Sequence, residues 1–161
     1  MTKTGISRWA RVSALAVIAV FVCIQVVRPE RTNPAIDPGR TLESRTQINP
    51  EVMGIFKRAC DDCHSNETKW PWYSNVAPVS WFVIDHVNHG RRHLNFSDWA
   101  RYQGREADEV LDDIAKEVKS GSMPLGSYLP LHPEAKLTPR DRTTIVEWVQ
   151  AERARLAYGL R

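Results

Sequence analysis

The chain has 161 residues, 42% of them hydrophobic and 9% aromatic, enough for a globular core and too apolar for a disordered chain. Its formal charge of +3 comes from the beginning: Lys3, Arg8 and Arg11 are the only charged side chains before Arg28, and without them basic and acidic groups balance. A neutral remainder carries no basic patch for DNA or RNA, so nucleic-acid binding is excluded as the function.

Behind those cations comes VSALAVIAVFVCIQVV, residues 12–27, interrupted only by Ser13 and Gln25. At the helical rise these residues span roughly 24 Å, which Trp9, Ala10 and snorkelling arginines would extend toward membrane thickness. An uncleaved signal anchor and a cleaved signal peptide both fit. The anchor is preferred, because RPERTNPAID after Val27 offers no small-residue cleavage pattern and bulky Phe21 and Val22 precede Cys23. The expectation is a single pass through the cytoplasmic membrane, with residues 1–27 as anchor and the remainder on the periplasmic side. Residues 28–48 carry Pro29, Pro34, Pro38 and Gly39 without hydrophobic periodicity and read as a flexible tether.

Order is expected from Asn49, where Asn-Pro-Glu supplies an N-cap, a first-position proline and an early acid. The helix turns Val52, Met53, Ile55 and Phe56 toward a core and ends at ACDDCH, residues 59–64. Residues 78–89 predict a short helix stopped by Gly90. Ser-Asp-Trp at 97–99 opens a brief turn. Residues 105–119 place Val110, Leu111, Ile114 and Val118 at helical spacing, with Gly121 as the stop. Thr138 and Pro139 start a last helix with an apolar stripe at Ile145, Val146, Trp148 and Val149. No segment alternates as a strand, so the fold class is all-α: one helical domain over residues 49–156 and a tail over 157–161.

Cys-x-x-Cys followed at once by His is the pattern of c-type haem attachment. Two sulfurs add across the porphyrin vinyl groups, and the next residue becomes the proximal iron ligand. Cys60 and Cys63 are the thioether candidates, His64 the axial one, and the cofactor is one covalently attached haem c. A zinc site would need further ligands, for which His86, His89 and His93 are the only cluster, with Gly90 expected to break their alignment. A thiol redox pair would be expected near a β-α-β pattern. The sixth-ligand candidate is Met123 in KSGSMPLGSYLP, whose thioether would raise the reduction potential. His86, His89 or His93 in its place would lower it. His132 reads as a loop residue. Trp70, Trp72, Tyr73, Trp81 and Trp99 are expected mainly as walls around the macrocycle, with Arg91 or Arg92 reaching its propionates. The acidic run over residues 107–117, with Asp108, Glu109, Asp112 and Asp113, reads as a solvated helix face.

CDDCHSNETKWPWYSNVAPVSWFVIDHVNHGRRHLNFSDW, with SGSMPLGSY and LTPRDRTTIVEWV after it, resembles the bacterial haem-binding domain family of cytochrome c-like proteins over roughly residues 47–150. The aromatic run and the Asn-Phe-Ser-x-Trp segment make the likeness specific. It implies a membrane-anchored or exported c-type haem protein with Cys60, Cys63 and His64 as the attachment site and Met123 at the Met-Pro. It implies no substrate. The expected function is one-electron transfer between other redox proteins, without enzymatic activity or a small-molecule substrate. A haem sensor or peroxidase-like protein with an open or displaceable sixth position, and a structural zinc or thiol module, are the alternatives.

Overall fold

The computed structural model describes residues 7–159, so Lys3 and the last two residues of the expected tail lie outside the described residues. Among the described residues the regular structure is entirely helical: α1 Arg8–Ile24, α2 Leu42–Arg45, α3 Pro50–Ala59, α4 Asp61–His64, α5 Val79–His93, α6 Arg105–Ser120 and α7 Pro139–Gly159. Short 3-10 turns occupy Pro38–Arg40, Trp72–Asn75, Phe96–Arg101 and Pro133–Ala135. The chain divides into two compact units, residues 1–31 with 70–86 and residues 32–69 with 87–161.

In the first unit Ser7 caps α1 by accepting from the Ala10 amide at 3.2 Å. None of the 17 residues of α1 is buried. Among the described residues, no helix is long and apolar enough to cross a membrane.

In the second unit α6 and α7 run antiparallel, with Arg142 donating to the Val118 carbonyl at one end and Arg153 bonded to Asp108 at the other. Between them lie Leu111, Ile114 and Val118 of α6 and Ile145, Trp148 and Val149 of α7. Helix α3 closes this core through Phe56, which stacks on Phe96 at 4.9 Å and meets Trp148 edge-on at 5.5 Å. Its start is as expected: Asn49 accepts from the Val52 amide at 2.9 Å and Pro50 occupies the first turn. Thr138 and Asp141 form the corresponding reciprocal cap of α7, Thr138 Oγ1 accepting from the Asp141 amide and Asp141 Oδ2 from the Thr138 amide. The acidic face of α6 is paired within the chain, Asp108 and Asp112 with Arg153 and Asp112 and Asp113 with Lys116.

The structure departs from the sequence expectations at several points, one being that the helix expected to run to His64 ends at Ala59. Residues 32–48 are not a featureless tether. Asp37 caps the turn Pro38–Arg40, Thr41 caps α2, and Leu42 is 1% exposed within the core. A single leucine among polar residues has no period to betray it. Helix α5 does not stop at Gly90 but continues to His93, because Gly90 keeps a helical backbone while a stop requires positive φ, which Gly121 has at 78°. Helix α7 runs on to Gly159, through most of the expected tail.

This packing sets the expected stability of three variants. Leu42→Ala is expected to cost about 2–5 kcal/mol in urea unfolding followed by circular dichroism, where removing one side chain from a disordered tether would cost nothing. A Cβ on Gly54, inside α3, would meet nothing within 4 Å, whereas one on Gly90 would stand 2.6 Å from the Cys63 carbonyl oxygen. Gly54→Ala should therefore stabilise by about 0.5–1 kcal/mol, and Gly90→Ala should destabilise by about 1–3 kcal/mol, in the same measurement.

Candidate functional site

Helix α3 ends where Cys60 leaves helical backbone geometry, at φ −128° and ψ −36°. The Cys60 amide still donates to Phe56 O at 2.8 Å, while its carbonyl accepts from Cys63 N at 3.1 Å and His64 N at 2.9 Å. The result is one helical turn, α4, capped by Cys60 and holding Cys63 and His64 within it. It is held from behind by short polar bonds: Ser65 Oγ donates to Asp61 O at 2.8 Å, Thr68 Oγ1 to Asp62 O at 2.7 Å, and the Lys69 amide to Asp62 Oδ1 at 3.0 Å.

His64 Nδ1 lies 3.1 Å from the Leu94 carbonyl oxygen. A carbonyl only accepts, so Nδ1 carries the proton and Nε2 keeps its lone pair. Burial lowers the imidazole pKa below its ordinary value, against the opposing effect of the Leu94 and Gly90 carbonyls. A neutral imidazole oriented through one nitrogen by a backbone carbonyl, with the lone pair on the other, is the arrangement an iron ligand needs. The donor set thus fits a haem held through Cys60, Cys63 and His64.

Two neighbours of this turn come from α5. Gly90 brings the α5 backbone against Cys63, as its 2.6 Å clearance shows. Arg91 is buried, and its guanidinium donates to Ser65 O at 2.7 Å, Thr32 O at 2.6 Å, Asn33 Oδ1 at 2.8 Å and Thr68 Oγ1 at 2.7 Å. It braces the chain that follows the motif, a role different from the propionate contact expected of it.

The thiols are poor nucleophiles in the unmodified chain. Burial, reinforced by Asp61 and by Cys63, pushes the Cys60 thiol up to about 12. Burial and Asp62 push Cys63 to about 11. Thiol exchange proceeds through thiolate, which these environments suppress at neutral pH.

Met123 follows the Gly121 stop of α6, half-buried, with its amide donating to Glu117 O at 3.2 Å. The loop beyond it is tied to the motif by Tyr128, whose hydroxyl donates to Asp62 Oδ2 at 2.6 Å and whose ring stacks on His132 at 3.9 Å. The sequence offered no signal for this tie, since neither residue belongs to a recognisable spacing. His86, His89 and His93 lie on one uninterrupted helix. His86 Nδ1 donates to Phe82 O at 2.9 Å, and exposed His89 and His93 approach to 4.5 Å between rings, with Arg92 against His89. Among the described residues no three His, Cys, Asp or Glu side chains are grouped to hold a metal ion. Of the five aromatic residues expected as walls, Trp99 is in the core of the unit that carries the motif. Trp70, Trp72, Tyr73 and Trp81 belong to the other unit.

No curated protein and no solved structure matches the chain. A model of the haem-binding domain matches residues 19–151, most of the sequence, and the chain belongs to the haem-binding domain family, with haem as its cofactor.

Proposed function

We propose that the protein is a single-haem c-type cytochrome, anchored through α1 with its haem domain on the outer side of the cytoplasmic membrane, that passes one electron at a time between redox proteins. The observation that carries this reading is the α4 turn, which gathers Cys60, Cys63 and His64 within five consecutive residues and has His64 oriented through Nδ1 on Leu94 O. Cys60 and Cys63 would hold the haem by thioethers, His64 Nε2 would be the proximal ligand, and Met123 the distal one. Bound haem supplies reversible one-electron chemistry at its iron. The chain's part is to fix that ligand geometry: Leu94 orients the imidazole, Arg91 braces residues 65–68, and Tyr128 tethers the loop that follows Met123. The anchor reading is supported by α1 being an apolar helix with no buried residue. At 1.5 Å per residue the helix is about 26 Å long against a hydrocarbon core of about 30 Å, a shortfall met by local thinning and by flanking residues.

Covalent attachment is tested by expression with the c-type maturation machinery. Haem is expected to stay with the polypeptide through denaturing electrophoresis, at one per chain by alkaline pyridine spectrum, and to be lost from the gel band in the Cys60→Ala/Cys63→Ala double variant. Clean extraction of the pigment from the parent by acidified organic solvent would refute the assignment.

The distal ligand is read from the oxidised spectrum. The parent should be low-spin with a sulfur-to-iron charge-transfer band, and Met123→Ala should abolish that band and lower the potential. An unchanged low-spin spectrum would transfer the role to a histidine. A parent that is high-spin and binds carbon monoxide readily would favour the sensor or peroxidase reading.

A further inference from the structure

The segment 70–86 forms a unit with the N-terminal helix through specific bonds of its own. The Gln25 side-chain amide clasps the backbone of Ala77, Nε2 donating to the carbonyl at 3.1 Å and Oε1 accepting from the amide at 2.9 Å. Trp81 Nε1 donates to Val27 O at 2.8 Å, and Arg31 Nη1 to Ser74 Oγ at 3.2 Å. The polar group that interrupts the apolar run is thus the device that joins the end of α1 to this segment. On the segment, Trp72 is 76%, Phe82 52% and Val79 46% exposed, beside Val26 at 83% at the end of the apolar run.

The same unit holds a cavity of about 200 Å³ whose lining includes Arg28, Arg31, Ser74, Asn75 and Ser80. Arg28 Nε donates to Gln25 O, and Arg31 uses one nitrogen on Ser74, so each guanidinium keeps most of its five donors. Among the described residues neither arginine is ion-paired, and Glu30 between them does not line the cavity. Ser74 Oγ donates to Pro71 O at 2.6 Å, so the donors left to a ligand are the guanidiniums and the Asn75 amide. Two cations with an amide donor, close in sequence to exposed aromatic and aliphatic side chains at the end of an apolar helix, match the layer where phospholipid phosphates meet acyl chains.

We propose that residues 70–86 form a membrane-seating platform, with Trp72, Val79 and Phe82 in the interfacial layer and the phosphate of an anionic phospholipid in the Arg28–Arg31–Ser74 cavity. This rests on the reading of α1 as a helix that enters the bilayer. The segment fixes how deep that helix sits, because the bonds of Gln25 and Trp81 leave no slack between them.

The test uses the full chain reconstituted in vesicles of phosphatidylcholine with phosphatidylglycerol. Resistance to alkaline carbonate extraction reads the anchor alone. The platform is read by quenching of tryptophan fluorescence with lipid brominated at the headgroup end of its acyl chains, expected to fall by about half in Trp72→Phe. The lipid site is read by titrating detergent-solubilised protein with short-chain phosphatidylglycerol, short-chain phosphatidylcholine and inorganic phosphate. Arg28→Gln/Arg31→Gln should weaken phosphatidylglycerol binding by about fivefold per arginine, with haem content unchanged as the folding control. Carbonate resistance together with unaltered quenching in Trp72→Phe overturns the platform and leaves the anchor. Extraction by carbonate with Trp72-dependent quenching beforehand refutes the spanning anchor and retains the platform. Binding of inorganic phosphate or phosphatidylcholine as tight as phosphatidylglycerol overturns the lipid site.

Discussion

At Gly90 the backbone of α5 rests on the backbone of the cysteine turn so closely that a Cβ would stand 2.6 Å from the Cys63 carbonyl oxygen. Two things about the site depend on that approach. One residue on, Arg91 reaches the Ser65 carbonyl and Thr68 hydroxyl at 2.7 Å each. One turn on, the Leu94 carbonyl meets His64 Nδ1 at 3.1 Å. A side chain at position 90 would push both partners outward together, and the imidazole would lose the acceptor that decides which of its nitrogens stays free. The motif supplies the ligands; α5 supplies their orientation.

What was legible in the sequence is what local bonding determines. Asn49, Thr138 and Gly121 mark helix ends because each acts on amides or carbonyls within a few residues of itself. The Cys60–His64 motif was legible from its spacing alone, whereas the helix expected to run through it is broken at Cys60. Gly90 shows the limit. Glycine serves as a stop when it takes a left-handed conformation and as a contact point when another backbone lies opposite, and only the first is a local property. Leu42 and Tyr128 were invisible on similar grounds, since one plugs a core made of distant helices and the other bonds a carboxylate 66 residues away.

The aromatic segment after the motif teaches a related lesson. Its tryptophans and tyrosine were expected as walls because a small domain around a flat macrocycle needs large apolar rings. Residues 70–86 form a compact unit with the N-terminal helix, joined to it by side-chain amide and indole bonds to backbone groups. Gln25, which looked like a flaw in an apolar run, satisfies a backbone amide and carbonyl that would otherwise lack partners beside a hydrophobic helix.

The acids inside the motif separate the two chemistries open to a cysteine pair. Burial, reinforced by Asp61 at Cys60 and by Asp62 at Cys63, raises both thiols, while Arg58 opposes this at Cys60 and Arg91 at Cys63. A redox thiol needs the reverse environment, with cations or a helix N-terminus lowering its pKa. A cysteine converted to a thioether no longer titrates, so the carboxylates oppose nothing at the sulfurs, although burial still pushes Asp61 itself up to about 6. They are free to act as structure, as Asp62 does by accepting from the Lys69 amide and the Tyr128 hydroxyl. The pair of aspartates is therefore tolerable in this turn if its sulfurs end as thioethers, and a handicap if they must become thiolates.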